Sequence, residues 1–398
     1  MGEFQLRLKL KIYPAKNGDS FLLSVGKTHL LIDGGYVNTY ESFIRQDLKS
    51  LADCGETLSH VIVTHIDQDH ISGLLKLFEQ NKAENFIEIG NVWHNSYRHI
   101  NPKEEEAVVK NEGLEEIKGG AYLKKVSYGE ETTISASQGS SLAALLIEGK
   151  YAWNAEFDGR AVATDNAQHF NLTDDIHLTL LSPNTEKLKG LKKAWRKELI
   201  KKGYLNGLSE TEYYDDAFEF MVAKHRERPR YREKTIARAT PDIADLASQS
   251  FLEDTTPANG SSMAFIIEYK TIRLLFLGDA HPGIVAENLK SLYGPEDFPV
   301  RFDLIKTSHH GSWANNRPEL YSLIDSPSYV FSTNGLGHNH PDDETIALIV
   351  SRKSEYTRKL FFNYPLEKAR AFDEPSLREE YNYEIIQADG ATPLEISF

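Results

Sequence analysis

The chain predicts a layered α/β body with a segment inserted near its middle. Three observations lead there. Short apolar strands come in two batches, one before about residue 100 and one from Met263 onward, with helical segments between them. The stretch from about Tyr97 to Pro257 is looser, more charged and mostly helical in pattern. His and Asp residues gather just beyond the ends of the strands.

The chain opens with Phe4 to Tyr13, which alternates apolar and cationic residues as a strand with one wet face does. Strands 21–25 and 29–32 follow, joined by Gly26-Lys27, a two-residue hairpin signal with glycine first. Ser42 to Ala52 carries apolar residues at helical spacing. Strand 60–64 leads into a polar loop, and a helix is expected from near Ser72. Asn91 to Ser96 reads as a further strand end with polar residues at its tip.

In the middle segment, 101–116 is charged and helical in pattern, and Ile176 to Pro183 is a strand and stop. Glu186 to Lys202 is a cationic helix, Lys224 to Lys234 a basic run, and Thr240 to Leu252 a short helix. Strands 263–269 and 272–277 then flank a tight turn at Tyr269-Lys270. After them come a helix from Pro282, strand 303–307, a helix from Pro318, strand 328–333, a helix from Asp342 and strand 358–362. No repeat or low-complexity tract interrupts this order.

At 398 residues the chain can bury one large core or two ordinary ones. A net charge of −14 argues against a generally basic nucleic-acid coat, yet it leaves room for a local basic surface. The single cysteine, Cys54, cannot form an intrachain disulfide or a multi-thiolate zinc knot, and a reducing, cytoplasmic setting is expected. No run is apolar and long enough to span a bilayer, and no membrane association is expected.

The chemistry concentrates in four places. Thr64-His65-Ile66-Asp67-Gln68-Asp69-His70 follows the buried strand at 60–64 and holds two imidazoles and two carboxylates within six residues, a pair of adjacent metal half-sites. Gly278-Asp279 closes a second buried strand, His309-His310-Gly311-Ser312 a third, and His338-Asn339-His340-Pro341 follows a fourth. A lone His is more often a core or surface residue than a ligand. Six of the 14 His at three strand ends are hard to explain by packing.

These segments resemble the metallo-β-lactamase superfamily over about 1–100 and 255–365. The usual first motif there is His-x-His-x-Asp-His, and here Asp67 stands in place of the second His. That departure, with Asp33-Gly34-Gly35, Gly278-Asp279, the His309-His310-Gly311-Ser312 run and the late His pair, is similar to the ComEC-type branch, a soluble competence-protein domain. The resemblance implies a four-layer αββα metallo-β-lactamase-like sandwich in a single domain, 1–398. A mostly helical insertion at about 101–254 would carry a basic segment, 187–238.

It also implies a two-ion centre. The first ion would rest on His65, Asp67 and a shared Asp279, and the second on Asp69, His70, Asp279 and His338. A turn that often supplies another His reads Asn259-Gly260-Ser261-Ser262 here and has none. The extra carboxylate hardens the first site, so manganese is as plausible as zinc. His309 or His310 would protonate the leaving oxygen, beside Asp69 and a hydroxide bridging the ions. His340 would be a ligand in place of His338, a support for one, or a substrate contact with Asn259, and Asp33 would order the loop.

The expected activity is that of a metal-dependent hydrolase, first a phosphodiesterase or nuclease. The cations of the basic segment, Arg228 and Arg230 among them, would follow a nucleic-acid backbone. A solvated helix face would account for the same charges. The fold also admits a small-molecule ester, lactone or phosphoester hydrolase, or a metal-bound scaffold or sensor with a protein-binding insert.

Overall fold

The computed structural model describes residues 7–100, 142–201 and 240–398. The first sheet contains β1 (Leu8–Ile12), β2 (Phe21–Val25), β3 (Thr28–Ile32), β4 (Thr57–Ile62), β5 (Ile89–Trp93) and, from the far end of the chain, β16 (Leu394–Ser397). Their order is β16-β1-β2-β3-β4-β5, antiparallel as far as β3 and parallel from β3 to β5.

The second sheet has eight strands: β6 (His169–Asn171), β7 (Ile176–Ser182), β8 (Ala264–Tyr269), β9 (Ile272–Phe276), β11 (Leu304–Lys306), β13 (Ser328–Phe331), β14 (Arg358–Phe362) and β15 (Tyr383–Gln387). The order is β15-β14-β13-β11-β9-β8-β7-β6, parallel from β15 to β9 and antiparallel beyond. β10 (Val300–Arg301) and β12 (Ile324–Asp325) form a small parallel pair apart from it.

Alternation along the strands sorts side chains into three cores, and these define four layers. Leu30 and Ile32 of β3 enter a central core with Phe21, Leu23, Phe265, Leu274 and Phe276. Leu31 between them turns the other way, into a core with Leu74, Leu77 and Phe78 of the helix Gln68–Glu84. On the second sheet, Leu275 turns away from the centre and meets Ile284 and Leu289 of the helix Pro282–Leu292. The sheets touch through rings such as Phe21 and Phe276, whose centroids lie 5.5 Å apart edge to face. The result is the helix–sheet–sheet–helix sandwich that the sequence predicts.

Several boundaries differ from expectation. The helix expected near Ser72 starts at Gln68, with Asp67 extended as its N-cap, so Asp69 and His70 belong to its first turn. The strand expected at 176–183 is present as β7, and with the short β6 beside it joins the second sheet through β8, so part of the segment read as a mostly helical insertion belongs to the sandwich itself. The helix expected over 240–252 covers only Ile243–Ala247. β15, with mostly half-exposed side chains, and the four-residue β16 were not anticipated. The stretches 101–116 and 224–234, with Arg228 and Arg230, lie outside the described residues. Among the described residues no helix is long and apolar enough to cross a membrane.

One close approach matters for the site. The helix Gln68–Glu84 is laced to the end of β3 by Gly34 N donating to His70 O at 2.8 Å and Gly73 N donating to Gly35 O at 2.9 Å. A Cβ on Gly73 would fall 2.0 Å from the Gly34 carbonyl oxygen, so only glycine permits this spacing. Gly73→Ala should therefore cost about 1–3 kcal/mol by overpacking. The check is the urea midpoint, and an unchanged midpoint would contradict the close approach.

Candidate metal centre

The site lies beyond the C-terminal ends of the parallel strands, where ligands gather in open α/β sheets. After β4 the chain passes Thr64 and His65 and enters the helix at Gln68. Asp69, in the first turn, places its carboxylate where the helix dipole favours negative charge. Asp33, just past β3, is fully buried and takes the left-handed conformation at φ 55°. Its carboxylate accepts from Thr64 N at 2.8 Å, Thr64 Oγ1 at 2.6 Å and His70 Nδ1 at 2.8 Å. It thus orders the loop and aims His70.

The second sheet brings the other half. Gly278, at φ 50°, turns the chain after β9 and delivers Asp279, which is 2% exposed. After β11, His309, His310 and Gly311 are all left-handed, at φ 45°, 55° and 91°. Two consecutive non-glycine residues in that region mark a conformation that the surroundings must enforce. His309 N donates to Gly278 O at 2.9 Å, and Asn316 bonds both ends of the turn through Ser308 and Ser312. A Cβ on Gly311 would fall 2.6 Å from Pro341 Cβ, so the late loop closes directly over this turn.

Four imidazoles converge on one carboxylate oxygen. Asp279 Oδ2 lies 3.6 Å from Nε2 of His65 and of His70, and 3.8 Å from Nε2 of His309 and of His310. Asp67 Oδ2 is 3.6 Å from His65 Nε2, and Asp69 Oδ2 is 3.8 Å from His310 Nε2.

The outer ring nitrogens have partners of their own. His310 Nδ1 can only donate to the Ser332 carbonyl, at 2.8 Å, and His70 Nδ1 faces Asp33. Asn315 Oδ1 lies 2.9 Å from His309 Nδ1. Thr64 Oγ1, whose proton goes to Asp33, is left to accept from His65 Nδ1 at 3.1 Å. Each Nδ1 therefore has an acceptor on its outer side and each Nε2 points inward, the arrangement a metal-binding His has with its outer partners.

These donors fit divalent ions. His65, His70 and Asp279 form one group with ligand atoms within 4.8 Å of one another, and Asp69, His70 and His310 form another. Tetrahedral ligands about 2.0–2.1 Å from a zinc ion stand roughly 3.3–3.4 Å apart, near the spacings seen. Nε2 of His65, His70 and His310, and Oδ1 of Asp279, are buried without hydrogen-bond partners. A cluster of unpaired buried donor atoms is costly unless something binds it.

Charge coupling is strong throughout. Burial alone would raise the Asp279 pKa, yet His309, His310, His70 and His65 hold it well below the usual carboxylate value. Burial opposes charge on His70, but Asp279 and Asp33 push its pKa well above the ordinary value. His309 is raised too, with Asp279, Asn315 and Asp254 outweighing its burial. Burial lowers His340 to about 4, so it is neutral at pH 7.

The structure brings His65, Asp67, Asp69, His70, Asp279, His309 and His310 together. His338, expected as a ligand, is exposed, outside these donor groups, with its ring 6.3 Å from that of His309. His310, and not His338, lies in a donor group with Asp69 and His70. His340 lies at the rim, its ring 5.2 Å from that of His309. Asn259 is a supporting residue: it donates to Asp254 at 2.6 Å and lies 3.3 Å from His309 Nδ1. In the turn that lacks a His, Ser262 Oγ accepts from Asp279 N at 3.0 Å.

Sequence reasoning missed Asp19, Lys306, Asp254 and Asn315. Of these, Lys306 left a signal, a charge at the end of the apolar strand Leu304-Ile305-Lys306.

Residues 13–120 match the family described as the Metallo-beta-lactamase superfamily. That span holds Asp33 and the His65 to His70 motif, and Asp279 and His310 lie beyond it. Among solved structures, the chain is similar to the metallo-beta-lactamase fold protein YhfI from Bacillus subtilis, at 11% identity and a TM-score of 0.38, covering 99% of this chain and 100% of that one. It is also similar to Zn(2+)-bound PqqB from Methylobacterium extorquens, at 12% identity and a TM-score of 0.37, covering 96% of this chain and 87% of that one. No curated protein matches it. Fold and donor set define the class, an α/β sandwich with a candidate divalent-metal centre. The family match suggests, in general terms, a metal-dependent hydrolase.

Proposed function

We propose that this chain is a metal-dependent phosphodiesterase with nucleic acid as its substrate. The observation that carries the hydrolase reading is the convergence of four Nε2 atoms on Asp279. Two divalent ions, zinc or manganese, would supply Lewis acidity and a water of lowered pKa there. His65, Asp67 and Asp279 would hold one, and Asp69, His70, His310 and Asp279 the other. Asp67 in place of a second imidazole remains the feature most similar to the ComEC-type branch.

The remaining residues divide by access. His310 is 3% exposed at its side chain and is assigned as a ligand. His309, at 18%, reaches the open edge and is assigned to protonate the leaving oxygen. Asn315 and Asn259, both tied to Asp254, hold its ring. The exposed His338 and the neutral His340, with rings 6.3 and 5.2 Å from that of His309, would donate hydrogen bonds to the non-bridging oxygens of a phosphodiester. Asn17 donates to Asp69 Oδ2 at 2.9 Å and holds that carboxylate in place. The basic segment 187–238 favours a nucleic-acid backbone over a small phosphoester.

His309→Ala should retain metal and lose about 10²–10⁴ in turnover of bis(p-nitrophenyl) phosphate, the usual weight of a positioned acid. His310→Ala should lose metal. Metal loss in the first variant and not the second would reverse the two assignments. For the substrate, replacing Arg226, Arg228, Arg230 and Arg232 with Gln should weaken DNA or RNA binding and flatten its dependence on salt, because fewer counterions are released. Turnover of the small diester should survive. Unchanged, salt-insensitive nucleic-acid handling would favour the small-molecule hydrolase.

A further inference from the structure

Lys306 is 1% exposed, and so is its partner Asp19. A lysine this buried needs compensation, and the Asp19 carboxylate, in direct contact with the ammonium, supplies it. Such a pair could serve packing anywhere in a core. This one stands against the metal centre. Nζ donates to the Gly278 carbonyl at 3.2 Å and lies 3.9 Å from Asp279 Oδ1, an oxygen that is buried without a hydrogen-bond partner. Asp19 Oδ1 lies 3.4 Å from His310 Nδ1.

The geometry has two consequences. Asp19, Asp279 and His310 form a further group whose ligand atoms could hold a cation. The Lys306 ammonium already stands against Asp19 in the place of such a cation, so Asp19 would stay out of a bound metal's coordination. Asp279 also has its two oxygens distinguished. Oδ2 faces the four imidazoles, and Oδ1 faces Lys306. Register supports the placement. Lys306 lies beside Phe276 on the neighbouring parallel strand, so its side chain reaches the turn that carries Asp279.

We propose that Lys306 is a positioning residue of the metal centre: its ammonium engages Asp19 and the Oδ1 side of Asp279, so that Oδ2 would be the oxygen turned toward bound ions. The proposal rests on the dinuclear reading above.

The test separates packing from positioning. Removing Lys306 alone strands a buried carboxylate, so the informative variant is Lys306→Met combined with Asp19→Asn, which removes both charges together. Its melting temperature without metal should lie within a few degrees of wild type. Its zinc affinity, measured by competition with a chelating dye, should fall at least about tenfold, the usual scale for losing an outer partner of a ligand. Wild-type affinity in a folded double variant overturns the proposal, because the pair would then serve packing alone. Should the double variant not fold, a crystal structure of metal-loaded wild type decides. Oδ1 of Asp279 on Lys306 supports the assignment, and both oxygens on the ions refute it. Wild-type protein that binds no divalent ion would remove the metal-centre reading and this proposal with it.

Discussion

The structure turns on a buried carboxylate that draws four imidazole nitrogens to itself. Asp279 is almost fully enclosed, and burial of a charge is expensive unless partners compensate it. The surrounding His residues come from both sheets: His65 and His70 from the first, His309 and His310 from the second. Neither sheet alone assembles the site. The interface between the two sheets must therefore be held in fixed register, and the central core with its Phe21–Phe276 contact does that.

Hydrogen bonds at the strand ends complete the lock. Ser332 Oγ donates to the Gly18 carbonyl at 2.8 Å, and Asn363 Nδ2 donates to the Tyr13 carbonyl at 3.1 Å, each joining the N-terminal loop to the second sheet. β16 returns from the end of the chain to pair with β1. The left-handed run at His309, His310 and Gly311 shows the local cost of this arrangement, which the hydrogen bonds around it sustain.

Much of this was legible in the sequence, for identifiable reasons. Buried strands announce themselves by apolar runs, and each metal-type residue lies within a few positions of such a run. Asp33, the His65 to His70 motif, Asp279 and the His309-His310 pair could therefore be picked out by position alone. The harder question was which His faces the cluster. His310 and His338 both follow parallel strands, and only the turn after β11 sends the first inward while the second emerges at the surface. Asp19 and Lys306 were missed because their meaning lies in a contact across 287 positions of chain, between a loop and a strand end. The edge strand β16 was obscure for a similar reason, since its partner β1 lies at the other end of the chain, and β6 is only three residues long.

The central claim is that Asp279 is the carboxylate shared by two ions. The direct measurement is the metal content of purified, zinc- or manganese-loaded protein for wild type and Asp279→Asn, which nearly preserves volume while removing the anionic bridge. The account predicts two equivalents bound by wild type and a clear loss of bound metal in the variant. Full metal content and full turnover in Asp279→Asn would contradict it.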